Sequence, residues 1–258
     1  MLDLQPQSVT HEGVTQQILG MQQLGPDGLS EQWLLGACGD LHWTLLARSL
    51  GQDSLRFQSA DGRPLYAAFC ATRIDLASSG SLLGEHISIH SEIAAATGPK
   101  IGSRHVLRHR GRVIGSLLML STFVAHDETG SNRRIMRARP SGSCTLPAAG
   151  PDLMALDHRA RQTSRRHRGH AMPLANAKRI DPSYALDFNA VGLLYFPSFS
   201  RFAESAQQSP RPLRMREVVY LGNLDAGEAL YVHRSKAETL IAGPDGRILA
   251  QARDERAA

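Results

Sequence analysis

Apolar and polar positions along the chain change period in the same order twice. The segment 13–24 reads as extended and ends at Gly25-Pro-Asp-Gly28, a turn signal. Ser30 and Glu31 then open a helical stretch carrying Trp33, Leu34 and Leu35, which Gly36 and Gly39 interrupt. Asp40 caps a second helical run with Leu41, Leu45 and Leu46 as its apolar stripe. From Asp53 the period falls to two. Segments 54–59 and 64–76 flank Asp61-Gly62, a strong hairpin signal, and strands are predicted at 85–94, 105–110 and 112–124. No periodicity is sustained from Val124 to about Pro182, where Gly, Ser, Pro, Arg and Ala dominate and predict a connection, part of it mobile. A helix at 194–207 and strands at 214–223, 228–233, 237–242 and 247–253 then repeat the earlier order, with Pro244-Asp-Gly246 as the last hairpin turn.

The repetition reaches single residues. Gly84-Glu-His-Ile-Ser-Ile-His90 and Gly227-Glu-Ala-Leu-Tyr-Val-His233 share Gly, Glu, two aliphatic positions and the closing His. Each is followed by a hairpin with a matching core, Gly111-Arg-Val-Ile114 and Gly246-Arg-Ile-Leu249. A long period means few, large copies of one module. The chain is therefore read as α+β: a module at 1–130, a basic, partly flexible linker at 131–180 and a second module at 181–258. A helix wrapped by a curved antiparallel sheet, present twice, places a shared pocket between the copies.

Composition narrows the function class. With 42% hydrophobic and 21% charged residues the chain matches ordinary globular proteins, and 258 residues suffice for one large or two smaller domains. No apolar run has the length of a membrane span, and the opening Met1-Leu-Asp-Leu-Gln-Pro-Gln-Ser8 lacks a signal-peptide layout, which predicts a cytoplasmic protein. Cys38, Cys70 and Cys144 are scattered and odd in number, so neither a disulfide framework nor a zinc site is expected. The net charge of +5 is concentrated between Arg133 and Arg179. That run reads either as a landing site for something acidic (a nucleotide phosphate, an acidic carrier protein) or as a solvated linker. Without interleaved aromatics or a reader motif, nucleic acid is not expected. No Gly-rich fingerprint follows a strand, so nicotinamide and flavin are not expected either.

Asp187-Phe-Asn189-Ala-Val-Gly192-Leu-Leu-Tyr195 resembles the entry to the central helix of hot-dog-fold enzymes, which act on acyl groups carried by coenzyme A or acyl carrier protein. Leu193 and Leu194 stand where the thioesterase branch has its His. A narrower resemblance runs through Gly28-Leu-Ser-Glu-Gln-Trp33, Gly39-Asp-Leu-His42-Trp43, Tyr66-Ala-Ala-Phe-Cys-Ala-Thr72, Leu120-Ser-Thr-Phe-Val124 and Ser131-Asn132-Arg133. These motifs, in this order, are similar to the double hot-dog bifunctional acyltransferase/decarboxylases of polyketide biosynthesis. That resemblance implies two hot-dog modules side by side. It implies an activity that decarboxylates a (methyl)malonyl-CoA and places the acyl group on the phosphopantetheine arm of an acyl carrier protein; the competing readings are a hot-dog dehydratase/hydratase or thioesterase acting on carrier-bound acyl chains, and a non-catalytic carrier-protein-binding scaffold. Tyr66 matches the motif holding the family's catalytic tyrosine. Coenzyme A would enter only as part of the substrate, with no metal or other cofactor, and the chain would be a monomer or a homodimer.

On a strand Tyr66, Ala68, Cys70 and Thr72 would share one face, with small alanines leaving room for a ligand. An enolate left by decarboxylation needs fixed donors, which the helix entries after Asp40 and Asn189 could supply as backbone N–H groups. His42 is a candidate proton donor or orienting group, Asn189 a donor to the thioester oxygen, Asp187 a base, and Ser121, Thr122, Cys70 and Asp40 substrate contacts. Each has a plainer reading: a core strand tyrosine, a packed helix histidine, a capping Asn, a turn-forming Asp, polar strand ends, an inert buried Cys. His90 and His233, at equivalent repeat positions, read as structural.

Overall fold

The computed structural model describes residues 11–77, 81–142, 144–207, 211–236 and 238–257. In chain order its elements are β1 (Glu12–Ile18), β2 (Leu24–Gly25), β3 (Gly28–Leu29), α1 (Glu31–Ser49), β4 (Phe57–Gln58), β5 (Pro64–Leu76), β6 (His86–Ala95), β7 (Ile101–His109) and β8 (Arg112–His126). A 3-10 turn at Asn132–Arg134 leads to β9 (Ile135–Arg137), α2 (Pro151–His167), β10 (Lys178–Ile180), α3 (Tyr184–Asp187) and α4 (Phe196–Ser205). The chain closes with β11 (Leu213–Tyr220), β12 (Leu230–Ser235), β13 (Glu238–Ala242) and β14 (Ile248–Arg256). One antiparallel sheet dominates, in the order β1-β6-β7-β8-β5-β11-β14-β13-β12-β10.

That order is a palindrome of connectivity about the β5–β11 pair. On one side an outer strand, a helix and a four-strand meander run β1, α1, β5, β6, β7, β8; on the other they run β10, α4, β11, β12, β13, β14. The repeated Gly-Glu…His segments open the equivalent strands β6 and β12, and the Gly-Arg-aliphatic segments turn into β8 and β14. Each sheet half folds over its own helix. Leu34, Leu35 and Cys38 of α1 pack on Phe69, Ile87, Ile89, Leu107, Leu117 and Met119, whereas Phe199, Phe202 and Ala203 of α4 pack on Val218, Val232, Ile241, Leu249 and Ala252.

Three sequence expectations change. First, α1 is one continuous helix, capped by Ser30 Oγ accepting from Trp33 N at 3.3 Å, so Asp40 lies mid-helix and caps nothing. The glycines serve packing rather than interruption. A Cβ on Gly39 would sit 3.0 Å from Phe196 Cζ, and one on Gly36 3.6 Å from the Tyr195 hydroxyl, so their absence lets α4 settle on α1. Second, the stretch expected to be a connection without periodicity contains α2, with Pro151 in its first turn. Only Leu153, Leu156 and Ala160 form its buried apolar stripe, which covers Ala71, Leu118, Leu120 and Val219 on the outer face of the sheet across the seam. A stripe that narrow, set among arginines, escapes a periodicity test.

Third, the β5–β8 register shifts between Phe69 and Ala71. This bulge turns the side chains after it to the other face. Ala67 and Phe69 face α1, Cys70 packs toward α2, and Thr72 turns inward to Tyr220, its Oγ1 3.0 Å from that hydroxyl. Thr72 therefore does not share a face with Tyr66, Ala68 and Cys70. Smaller differences are in bounds: the strand expected at 54–59 shrinks to β4, that at 105–110 starts at Ile101, and the helix at 194–207 begins at Phe196. Residues 1–10 and Ala237, where the N-terminal reading and one strand start fall, lie outside the described residues.

Candidate active site

A cavity of about 840 Å³ opens where the two central strands part. The β5–β11 ladder runs from Asp75↔Met215 to Ala71↔Val219 and stops at the bulge. Leu65 to Cys70 thus line the cavity on an edge that β11 leaves unpaired. Trp43 and Asp40 of α1, Thr122 and Val124 of β8, and the segment joining α3 to α4 supply other walls.

That connecting segment is folded by its own polar groups. Asn189 Oδ1 accepts from Val191 N at 3.1 Å and Leu193 N at 3.0 Å, and Gly192 takes φ +77°, which suits glycine. Asp187 braces the same turn: Oδ2 accepts from Ser183 N at 2.8 Å, while Arg201 donates to both carboxylate oxygens at 2.6 Å. Two further amides, given no role by sequence reasoning, stitch the walls together. Asn132 Nδ2 donates to Gly192 O at 2.6 Å and to Leu224 O at 2.9 Å, joining the 3-10 turn to the far half. Asn223 Oδ1 accepts from Leu194 N at 2.9 Å, and its Nδ2 donates to Leu194 O at 3.2 Å. The Ser131-Asn132-Arg133 motif was the available signal for the first; nothing local in the sequence marks Asn223.

Of the candidates, Tyr66, Asn189, Cys70, Thr122 and Asp40 line this cavity. His42, Ser121 and Asp187 do not. His42 is wholly buried between Ser103 Oγ at 2.7 Å and Ser121 Oγ at 2.8 Å. The chain continues from Ser103 Oγ to His105 Nε2 and from His105 Nδ1 to Ser91 Oγ, both at 2.8 Å. Burial, then the neighbouring His105, lowers the His42 pKa to about 3, so its imidazole is neutral. Its role is to fill the polar middle of a core. Asp187 is spent on Arg201 and the turn. Nor do the expected helix-entry donors form: Asp40 is mid-helix, and α4 starts at Phe196, well beyond Asn189.

Asp40 is the one carboxylate in the described lining, which holds no histidine. Burial raises its pKa, and burial together with Asp40 pushes the Tyr195 phenol up to about 12. Burial pushes the Cys70 thiol up to about 11, so it is not a thiolate nucleophile at neutral pH. Tyr66 packs edge-on against His126 with ring centroids 5.5 Å apart, and pairs laterally through Val124 with Arg137. Three arginines complete the polar lining: Arg133, bound to Glu228 and Asp245, and Arg137 and Arg247.

No family model matches the chain, and no curated protein matches it. Solved structures do. An acyl-ACP thioesterase from Bacteroides thetaiotaomicron superposes with a TM-score of 0.66 at 12% identity, over 95% of this chain and 97% of that one. A 12:0-ACP thioesterase from Umbellularia californica gives 0.65 at 12% identity with the same coverage. The fold is the hot-dog fold. At such identity the likeness is one of backbone, and chemistry must be argued from the side chains. Hydroxyl and amide groups, one solvent-exposed acid and apolar walls can bind and polarise a carbonyl. They do not assemble a histidine–carboxylate pair. No helix among the described residues is long and apolar enough to cross a membrane.

Proposed function

We propose that the chain is a double hot-dog enzyme that decarboxylates a (methyl)malonyl-CoA thioester and passes the acyl group to an acyl carrier protein. Residues 1–130 and 181–258 form the two modules, and 131–180 is a bracing connection that carries α2. The supporting observation is the seam cavity lined by Tyr66, Thr122 and Asn189, with no histidine among the described lining residues and His126 packed edge-on against Tyr66. Decarboxylation of a malonyl thioester requires no base. The C–C bond to the carboxylate breaks, carbon dioxide leaves, and the electron pair becomes an enolate whose oxygen needs hydrogen-bond donors in a water-poor site. Tyr66 O–H and Asn189 Nδ2 are the donors we assign to that oxygen. The α-carbon then takes a proton, and the carrier thiol displaces coenzyme A from the acyl carbon, directly or through an acyl ester of Tyr66. Coenzyme A takes part only as substrate, and no metal, nicotinamide or flavin is invoked.

Incubation with methylmalonyl-CoA and holo carrier protein tests this. Expected are release of carbon dioxide and a propionyl mass on the carrier, with Tyr66→Phe about 10² to 10³-fold slower. Equal rates for both proteins would overturn the assignment of Tyr66.

A second reading is hydrolysis of acyl carrier-protein thioesters. The names of the two fold relatives favour it, and Asp40 is the lining group able to take a proton from water. It predicts free acid from an acyl carrier thioester, no carbon dioxide from methylmalonyl-CoA, and loss of activity in Asp40→Asn.

A further inference from the structure

The Arg247 guanidinium forms no ion pair among the described residues, although Asp245 Oδ1 accepts from the residue's backbone N at 3.1 Å. The guanidinium lines the cavity, where Nη2 donates to Asn223 O at 2.9 Å and Nη1 to Arg133 O at 3.4 Å. Its Nε is buried and has no acceptor. The side chain lies over Gly222, where a Cβ would stand 3.3 Å from Nη1, so a larger residue at 222 would displace it. Backbone carbonyls orient a guanidinium but leave its charge uncompensated. The nearby Arg133 shows the contrast, with Glu228 and Asp245 as counter-ions. Arg137, the third arginine of the lining, is exposed and likewise has no carboxylate partner among the described residues.

We infer that Arg247, helped by Arg137, binds an oxyanion of the substrate inside the seam cavity. Resting on the thioester reading above, that oxyanion is either a phosphate of the pantetheine carrier or the free carboxylate of a malonyl-type acyl group. Both offer two oxygens in the plane that a guanidinium fork accepts. The site makes the cavity selective: a thioester lacking the recognised anion leaves the guanidinium uncompensated and binds more weakly.

Four probes separate the two sources: coenzyme A, propionyl-CoA, and the propionyl and methylmalonyl thioesters of N-acetylcysteamine. Binding is read by stopped-flow quenching of tryptophan fluorescence before turnover, since Trp43 is in the lining. If phosphate is bound, Arg247→Met weakens coenzyme A and propionyl-CoA about 10 to 100-fold and leaves both N-acetylcysteamine thioesters unchanged. If carboxylate is bound, only the methylmalonyl thioester weakens by that factor. Wild-type affinity for all four probes in a variant that melts normally overturns the site. Should Arg247→Met fail to fold, Arg137→Gln carries the test: a several-fold loss confined to one class of probe is expected. An unchanged Arg137→Gln with salt-independent wild-type binding overturns the site equally. Wild type that binds these probes but releases no carbon dioxide defeats the decarboxylase reading alone, while wild type that binds none of them defeats the anion site.

Discussion

Acid should unfold this protein through two histidines that the fold keeps uncharged. His42 and His105 are both fully buried in one Ser-His-Ser-His-Ser chain, and burial lowers each pKa from an ordinary 6.5 to about 3. Unfolding returns both rings to water, where they bind protons at their ordinary value. Above about pH 6.5 neither state is protonated at these sites and stability is level; below it the unfolded chain binds more protons, so stability falls as pH falls. Each histidine contributes about 1.4 kcal/mol per pH unit, and the pair therefore up to about 2.7 kcal/mol per unit between about pH 6.5 and 4.5. A domain of ordinary stability, on the order of 10 kcal/mol, loses about half of it over that window. Urea denaturation at a series of pH values measures the slope, and His105→Gln should halve it. A level stability curve down to about pH 5, or a His42 ring proton resonance that titrates at its ordinary value, refutes the account.

Two further outcomes follow from the seam. Gly39→Leu places carbon where Phe196 Cζ already lies 3.0 Å from the would-be Cβ, so calorimetry should show destabilisation of about 1 to 3 kcal/mol from α4 being pushed off α1. Arg216, 1% exposed, bridges Glu31 Oε2 at 2.6 Å and Glu204 Oε2 at 2.5 Å. Arg216→Met leaves Glu31, whose pKa burial already raises, without its counter-ion, and denaturant unfolding should show a loss of about 3 to 5 kcal/mol. Combining it with Glu31→Gln should recover part of that loss; a double variant no more stable than the single one contradicts the pairing.

What the sequence disclosed and what it hid divide along the range of the interactions involved. The meander strands were legible because each alternates against its own helix: Pro64–Leu76 was read to the residue, and the paired Gly-Glu…His openings fall on equivalent strands. Tyr66, Asn189, Cys70, Thr122 and Asp40 were legible as candidates because they sit on those readable segments, and all five line one cavity. His42 was misplaced because a histidine beside Trp43 looks the same in one dimension whether it faces a ligand or Ser103 and Ser121 across two strands. Gly39 looked like a helix break because its reason for being glycine, Phe196, lies far along the chain. The bulge in β5 is equally silent in sequence, yet it decides which side chains reach the seam.

The seam opens where the two central strands stop pairing. β11 ends at Tyr220, so the N-terminal half of β5 runs on past the last pair, Ala71↔Val219. The ladder therefore stops there and leaves Leu65 to Cys70 as an edge that lines the cavity. The reaction is then set by the few residues facing that opening. Leu193 and Leu194, which stand where the resembling thioesterase branch has its His, are buried in the cavity wall, and the basic groups of the described lining are arginines, which cannot accept a proton. Asp40 is the one carboxylate of the described lining, and Tyr66 and Asn189 are the donors assigned to an enolate oxygen under the proposed decarboxylation. Carbon dioxide released from methylmalonyl-CoA, against free acid from an acyl carrier thioester that is lost in Asp40→Asn, separates the two proposed readings.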